Sequence, residues 1–408
     1  MIRLDVVRHA ALALVLATSG CSSCRDDKPA PSVPPWAEGG SAVASASSSS
    51  PLSSASSTAS ASASTDTDAA APSIDAPWEL VAKRKASDHP LWVSEIGRRV
   101  VVGDRSPLAW ADGAGPLVAA PHVEAEYVVG LAGTFPSAAF LATDKRVHQL
   151  VADGWRDLGA LPPRTRGIFT WGDRAAVVVS SVIEHNAMPS IYLDQGPATT
   201  LRAFVADGER PPSFDLEPGF GTSVASGTRD GHLWLLGFRA GKNGMWLAHV
   251  QAGKKTGYQL YPGSEKCDDA GFGIYVYRSR IVGTSGERAF LLLVNDAAEC
   301  LGPMGAWLSE RSEKGFGGIP LPKKDIEALG TEIIGSAIDG TIYIHVPMPE
   351  SVLYRRDVSG KMTKVAMPKS CIPTHVVTRD DGDTWMTARC EGHDGVYRRG
   401  RGQPPLAL

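Results

Sequence analysis

One phrase recurs seven times between Leu91 and the C-terminus. Each copy has an apolar strand ending in an aromatic residue, an Arg pair or an equivalent. A turn containing glycine follows, and then a short strand that closes on Leu-Pro or a similar pair. The copies span 109–121, 148–162, 192–204, 246–262, 307–322, 354–368 and 397–406. Units this short do not bury their own faces, so they must stack on one another.

A period of about 40 to 60 residues made of short strands is typical of a β-propeller. In the sixth unit, which begins at Glu332 ahead of the sixth copy, the turn Asp339-Gly340 separates two apolar runs, and this pair favours a hairpin because both residues tolerate positive φ. The chain beyond residue 76 is about 330 residues long, enough for seven blades of about 46 residues. The predicted fold class is therefore all-β: a seven-bladed β-propeller of four-stranded antiparallel blades over residues 77–408.

Residues 1–20 have the features of an export signal. Arg3 and Arg8 precede an apolar run that is too short to span a bilayer, and Thr18-Ser19-Gly20 leads to Cys21. The segment resembles a bacterial lipoprotein signal peptide with its lipobox, although that family usually has Leu where this chain has Thr18. The resemblance implies cleavage before Cys21 and lipid attachment to its thiol. The alternative is an ordinary secretory peptide cut nearby, and either one exports the chain.

Residues 21–76 are rich in Ser, Ala and Pro and contain the run Ser47-Ser48-Ser49-Ser50. Such a segment buries too little apolar surface to offset its ordering entropy, which predicts a disordered tether. A lipid on Cys21 would anchor the propeller to the cell envelope. Because Ser22 stands where an Asp is linked to inner-membrane retention, we expect the outer membrane, with the propeller facing the periplasm or the outside.

Charge and motifs exclude several functions. The formal net charge is −3, so no large basic surface is predicted and nucleic acid is not an expected partner. The chain lacks a phosphate-binding P-loop, a His-Glu-x-x-His zinc motif and a Gly-x-Ser-x-Gly elbow. We therefore predict a monomer that uses no cofactor, no metal and no catalytic residue, and whose partner is a protein or a glycan of the envelope.

The cysteines predict two disulfides. Apart from Cys21 and Cys24, the chain has Cys267, Cys300, Cys371 and Cys390, for which three pairings are possible. Only sequential pairing places each bridge inside one blade, because Cys371 and Cys390 flank one predicted hairpin, and Cys267 and Cys300 flank another. An oxidising compartment permits both bridges. A zinc site built from all four cysteines is disfavoured because no Cys-x-x-Cys spacing occurs among them.

Long loops indicate which face of the propeller binds. The connections from fourth to first strands and from second to third strands share one face, and the longest predicted loops, 205–221, 263–273, 295–303 and 323–330, lie there. Long loops on a rigid scaffold commonly carry recognition, and both predicted disulfides would fix segments of this face. The candidate binding residues are acidic and histidine side chains: His122, Glu124, His185, Asp215, Asp268, His393 and Asp394.

The repeats also carry a family resemblance. Gly382, Trp385 and Val396-Tyr397-Arg398 form a pattern that resembles the propeller repeats in periplasmic sensor regions of two-component regulators. Residues 378–385 also satisfy the Asp-box pattern of sialidase-like propellers. In that family the box joins the third and fourth strands, whereas here it is predicted between the first and second, so we interpret it as a turn.

Two functional hypotheses follow. The first is a non-catalytic, membrane-tethered binding or scaffold lipoprotein, because the repeats account for most residues and leave no catalytic motif. The second is a propeller hydrolase or lyase that acts on a polysaccharide through acid and His groups such as His185 and His393.

Overall fold

The computed structural model describes residues 77–407, apart from gaps of one to three residues and longer gaps at 182–198, 207–213, 261–279, 296–304, 322–329 and 400–405. The predictions for residues 1–76, and for Cys267 and Cys300, lie outside the described residues. Within these ranges the regular elements are all β-strands. No helix of the described chain is long and apolar enough to cross a membrane.

Five separate sheets each contain four antiparallel strands in chain order. The first two are β2 (Trp92–Ile96), β3 (Arg99–Gly103), β4 (Pro107–Asp112) and β5 (Val118–Ala119), followed by β6 (Val128–Thr134), β7 (Ala138–Thr143), β8 (Arg146–Val151) and β9 (Gly154–Ala160). The third is β10 (Thr165–Thr170), β11 (Ala175–Ser181), β12 (Thr199–Val205) and β13 (Phe214–Asp215). The last two are β14 (Phe220–Gly227), β15 (His232–Arg239), β16 (Lys242–Gln251) and β17 (Lys254–Leu260), then β18 (Arg280–Gly283), β19 (Ala289–Asn295), β20 (Gly305–Ser312) and β21 (Gly315–Ile319).

A sixth sheet has nine strands and contains both ends of the described chain. One half is an antiparallel run of β22 (Glu332–Ala337), β23 (Ile342–Val346), β24 (Val352–Arg356) and β25 (Met362–Val365). The other half is β26 (Cys371–Thr378), β27 (Thr384–Cys390) and β28 (His393–Arg399), with the N-terminal β1 (Trp78–Lys85) as its fourth antiparallel strand. Parallel pairing of β22 with β26 joins the halves, and β29 (Leu406–Ala407) lies parallel to β1 at the edge.

The first strands of these runs form a closed circuit. In order, β2, β6, β10, β14, β18, β22 and β26 each contact the next, and β26 contacts β2. Seven clusters of buried apolar side chains lie between neighbouring runs. In one of them Val177 and Leu201 pack against Leu233 and Leu235 of the next sheet. Sheets that bury their faces against neighbours around a circuit form a β-propeller, which confirms that part of the predicted fold.

Glycine permits two features of the innermost strands and their turns. The predicted Asp381-Gly382 turn joins β26 to β27. Its glycine has φ of 78° and donates its N–H to Arg379 O at 2.9 Å. At Gly335 on β22, a Cβ atom would lie 1.9 Å from the carbonyl oxygen of Val376 on β26. Glycine therefore allows the close approach that makes these two strands pair.

Two of the predicted repeat copies were placed wrongly. The third copy put its closing strand before Phe204, but Thr199–Val205 pairs with β11 as a third strand, and the fourth strand is β13. Leu201 and Ala203 are buried on this strand, as suits a strand with neighbours on both sides. The seventh copy put its closing strand at Leu406, but β1 takes that position. It pairs with β28 along its whole length, whereas β29 pairs with β1 through two residues.

Candidate functional site

One end of the strands carries the connections from fourth to first strands and from second to third strands; we call it the loop face. Where the ring closes, Lys85 at the end of β1 pairs with His393 at the start of β28, and Cys390 pairs with the same histidine from β27. These residues therefore mark the loop face at the closure. Trp78, at the start of β1, pairs with Arg399 at the opposite end.

A cavity of about 560 Å³ lies at the closure on the loop face. Its lining residues come from the β1–β2 connection, the β3–β4 turn and the end of β27; we call it the closure pocket. They are Ala86, Ser87, Asp88, His89, Arg105 and Arg389. The pocket therefore combines segments that are remote in sequence and meet because β1 completes the ring.

A buried carboxylate, that of Asp394, holds Ser87 and Arg389 of the closure pocket in place. Asp394, 1% exposed, lies 3.2 Å from Arg84 Nη2 and 3.5 Å from Arg389 Nε, and its Oδ2 accepts the Ser87 N–H at 3.4 Å. Arg84 also pairs with Asp104 in the β3–β4 turn. Two arginines thus share Asp394, and this network fixes the β1–β2 connection against β28.

The predicted Cys371–Cys390 disulfide is present beside this network. The two cysteines are directly opposite each other on β26 and β27, as the predicted hairpin requires. The Tyr397 hydroxyl lies 3.4 Å and 3.1 Å from the two sulfur atoms and 3.5 Å from His393 Nε2. Burial raises the pKa of Tyr397, so its hydroxyl stays protonated. The bridge joins the start of β26 to the end of β27 on the loop face.

The predicted binding residues lie at separate places. His122 and Glu124 are exposed on the β5–β6 connection of the loop face. His393 is half-buried beside Tyr397, whereas Asp394 is buried in the network described above. The backbone of Asp215 lies in β13, and His185 and Asp268 fall outside the described residues.

Charged side chains on the same face, close to Glu124 in the chain, form a cluster of ion pairs. Lys145 Nζ lies 3.4 Å from Asp144 and 3.7 Å from Glu126. Desolvation opposes ionisation of Asp144, but the Glu126 N–H and Lys145 outweigh it and lower the pKa of Asp144. Asp144 in turn raises the pKa of Lys145. A carboxylate and an ammonium that are both held ionised do not provide a general acid and base near neutral pH.

Sequence reasoning missed the arginines of the closure pocket. The sequence pattern points to acid and histidine groups, whereas Arg105 follows Asp104 in a short turn and Arg389 lies on a central strand. The one local signal is the basic run Lys83-Arg84-Lys85, which ends β1 next to the pocket. Nothing in the sequence near Arg389 indicates that it faces Ser87.

A second cavity, of about 320 Å³, lies among the first strands at the centre of the ring. Its polar lining includes Ser94, Thr228, Thr284, Ser336 and Thr378, with Glu95 as the ionisable residue of the described lining. The Thr284 hydroxyl is buried and has no hydrogen-bond partner among the described residues. The polar part of the described lining consists of hydroxyl groups and one carboxylate, and it offers no acid–base pair.

Histidines on the strands make stability depend on pH, among them buried His345 and half-buried His148. Burial lowers the pKa of His148, against the influence of Asp157, and it lowers the pKa of His345, against that of Glu332. A folded chain that binds these protons weakly loses stability as pH falls through about 6.5, where unfolded histidine takes up its proton. Carboxylates with lowered pKa values, such as Asp157 beside Arg146, reduce stability only at more acidic pH, where they become protonated.

We therefore expect the melting temperature to fall between pH 7.5 and 5.5. Differential scanning calorimetry of wild type and His345→Gln measures this change, and the variant should show a shallower slope. The control is His122→Gln, which removes an exposed imidazole. A melting temperature that rises toward pH 5.5 would contradict this assignment.

No family model matches the sequence, and no curated protein matches it. The described residues contain no group of three or more His, Cys, Asp or Glu side chains that could hold a metal ion.

Comparison with solved structures finds similar folds. One is an inactive H270A virginiamycin B lyase from Staphylococcus aureus with quinupristin, with 12% identity over 79% of this chain and 99% of that one, and a TM-score of 0.49. Another is YCF48 bound to D1 peptide, with 9% identity, 82% and 100% coverage and a TM-score of 0.49. A third is the Neurospora crassa Pan2 WD40 domain, with 7% identity, 81% and 97% coverage and a TM-score of 0.48. At these identities and scores, none of the three bears on what this chain binds or does.

Proposed function

We propose that this protein is a lipid-anchored protein of the cell envelope whose seven-bladed β-propeller binds a protein partner through its loop face, without catalysis. The blade count rests on the circuit of first strands and on the seven interfaces between neighbouring runs. The lipid anchor rests on the lipobox resemblance at Cys21, and envelope location is also supported by the likeness of the repeats to periplasmic sensor propellers.

The observation that carries the proposal is the direction of β1. Trp78 and Lys85 lie at opposite ends of this strand, about 23 Å apart at about 3.3 Å per residue. The chain therefore enters the propeller at Trp78, on the face opposite the loop face. The loop face, with its closure pocket, thus points away from the attachment point and stays accessible to a partner.

A non-catalytic role is favoured over polysaccharide cleavage. Of the predicted acid and histidine groups that the structure describes, Asp394 is held by two arginines, and His393 contacts Tyr397. His122 and Glu124 are exposed on a different loop. Within the described residues, this arrangement does not place a general acid opposite a base or nucleophile, as glycoside cleavage requires.

Photo-crosslinking of the full chain in its own cells tests this proposal. A benzoylphenylalanine residue at Glu124 lies on the loop face, and one at exposed Ser359, between β24 and β25, lies on the opposite face as a matched control. We expect a discrete protein adduct from position 124 and none from position 359. Cys21→Ser should release the protein from the membrane fraction.

Three outcomes would contradict parts of this proposal. Equal adducts from both positions, or none from position 124, would remove the loop face as a binding surface. Membrane retention of Cys21→Ser would remove the lipid anchor. Polysaccharide turnover by the purified chain, abolished by His393→Ala, would remove the non-catalytic assignment.

A further inference from the structure

The closure pocket presents two guanidinium groups on the loop face. Arg105 extends from the β3–β4 turn and is exposed, and Arg389 extends from β27 with its side chain 43% exposed. The described lining also contains one carboxylate, that of Asp88, and one imidazole, that of His89. The lining thus carries two positive charges against one negative charge.

The Arg105 side chain is held by an imidazole. Its Nη2 donates a hydrogen bond to His89 Nε2, because a guanidinium has no acceptor to offer the ring. Among the described residues, no ion pair joins Arg105 to a carboxylate. Its guanidinium is thus oriented by His89 while its charge remains available to a ligand.

Arg389 is also oriented without being fully neutralised. Its Nη2 donates to the Ser87 carbonyl at 2.7 Å, which fixes the plane of the guanidinium. Its Nε lies 3.5 Å from Asp394, but that carboxylate also lies 3.2 Å from Arg84. One negative charge is therefore shared between two arginines. Exposed Lys83 and Lys85 on β1 add positive charge at the same end of the ring.

Such groups recognise carboxylates. A guanidinium presents parallel N–H donors that match the two oxygens of a carboxylate, and held side chains lose less entropy on binding than free ones. Close to Arg389, Ile372 lies opposite it on β26 and is 51% exposed. An exposed apolar side chain beside Arg389 suits an acidic peptide that also carries apolar residues. No aromatic ring that would stack on a sugar is present in the described lining.

We propose that the closure pocket binds an acidic segment of the partner protein, with Arg105 and Arg389 pairing to Asp or Glu side chains. This inference rests on the proposed function, and it names the ligand chemistry of the loop face.

Fluorescence anisotropy with the full chain tests it. The probe is a fluorescein-labelled hexaglutamate peptide with an amidated C-terminus, and hexaglutamine is the neutral control. We expect hexaglutamate to bind and hexaglutamine not to bind. Arg105→Gln and Arg389→Gln should each weaken hexaglutamate binding at least about tenfold, as expected for loss of a charge-assisted pair. Lys361→Gln and Lys364→Gln, which remove exposed charges around β25, should leave binding unchanged.

Further variants separate binding from folding. Arg389→Gln removes a partner of Asp394, so Arg389→Lys is the second variant. It keeps the positive charge but not the parallel N–H donors of the guanidinium. Its affinity for hexaglutamate should lie between those of wild type and Arg389→Gln. Failure of hexaglutamate to bind, or equal losses in the lysine controls, would overturn the proposal. Tighter binding of oligogalacturonate through the same arginines would overturn the peptide assignment. If the adduct from position 124 persists in any of these cases, the loop face remains a binding surface, and only the ligand proposed for the closure pocket is wrong.

Discussion

A chain that begins at residue 87, and so lacks β1, is expected to lose its cooperative thermal transition, whereas a chain that begins at residue 77 retains it. β1 supplies the fourth strand beside β28 along seven residue pairs. Its Val81 and Ala82 are buried in a core shared with Val100 of the neighbouring sheet and Trp385. Without β1 this core opens to water and β28 becomes an unpaired edge. The loss should be a large fraction of the about 5–15 kcal/mol that stabilises a typical domain.

The two chains differ by one strand, which makes them a matched pair. Circular dichroism melts should show a sharp transition for the chain from residue 77 and a broad or absent transition for the chain from residue 87. Superposable melts would mean that β1 does not close the ring. Addition of a peptide with the sequence of residues 77–86 should restore part of the transition if strand pairing is the cause.

The parts of the fold that local sequence encodes were predictable. Asp381-Gly382 and Asp339-Gly340 each join two apolar runs that pair directly, and the Cys371–Cys390 bridge follows from the same hairpin register. These features depend on residues within about twenty positions of one another, so turn chemistry and alternation reveal them.

Ring closure and the closure pocket depend on contacts between distant residues. β1 and β28 are separated by more than three hundred positions, and no local pattern distinguishes β1 from Leu406–Ala407 as the closing strand. Arg105 and Arg389 reach one pocket only because that pairing brings their segments together. The pocket therefore could not be predicted from the sequence, for the same reason that the closing strand could not.

One buried carboxylate, that of Asp383, explains why Gly382, Trp385 and Arg398 occur together in the repeat. Asp383, with 0% exposure, accepts Arg398 Nε at 2.9 Å and Arg398 Nη2 at 2.8 Å, and it accepts Trp385 Nε1 at 2.9 Å. Arg398 is itself fully buried, and its Nη1 donates to the Gly115 carbonyl of the neighbouring sheet at 3.2 Å. The spacing of the repeat is thus the spacing needed to bring a turn carboxylate, a tryptophan and an arginine together between two blades.

Asp383→Asn should therefore lower the free energy of unfolding by about 3–5 kcal/mol, because it leaves the Arg398 charge buried without its partner. Urea denaturation followed by tryptophan fluorescence measures this loss. Asp381→Asn is the matched control on the same turn: its carboxylate is 43% exposed and lies 3.0 Å from Arg379, so its loss should cost less than about 1 kcal/mol.

The double variant Asp383→Leu with Arg398→Met distinguishes the buried charge from packing. Removing both partners leaves no uncompensated ion, because Arg379, which lies 3.5 Å from Asp383, keeps its pair with Asp381. The double variant should therefore be more stable than Asp383→Asn alone. If the double variant is the less stable of the two, Asp383 acts by filling space and by its bond to Trp385. If instead Asp383→Asn costs no more than Asp381→Asn, the ion pair does not hold the blades together, and the repeat pattern needs a different physical reason.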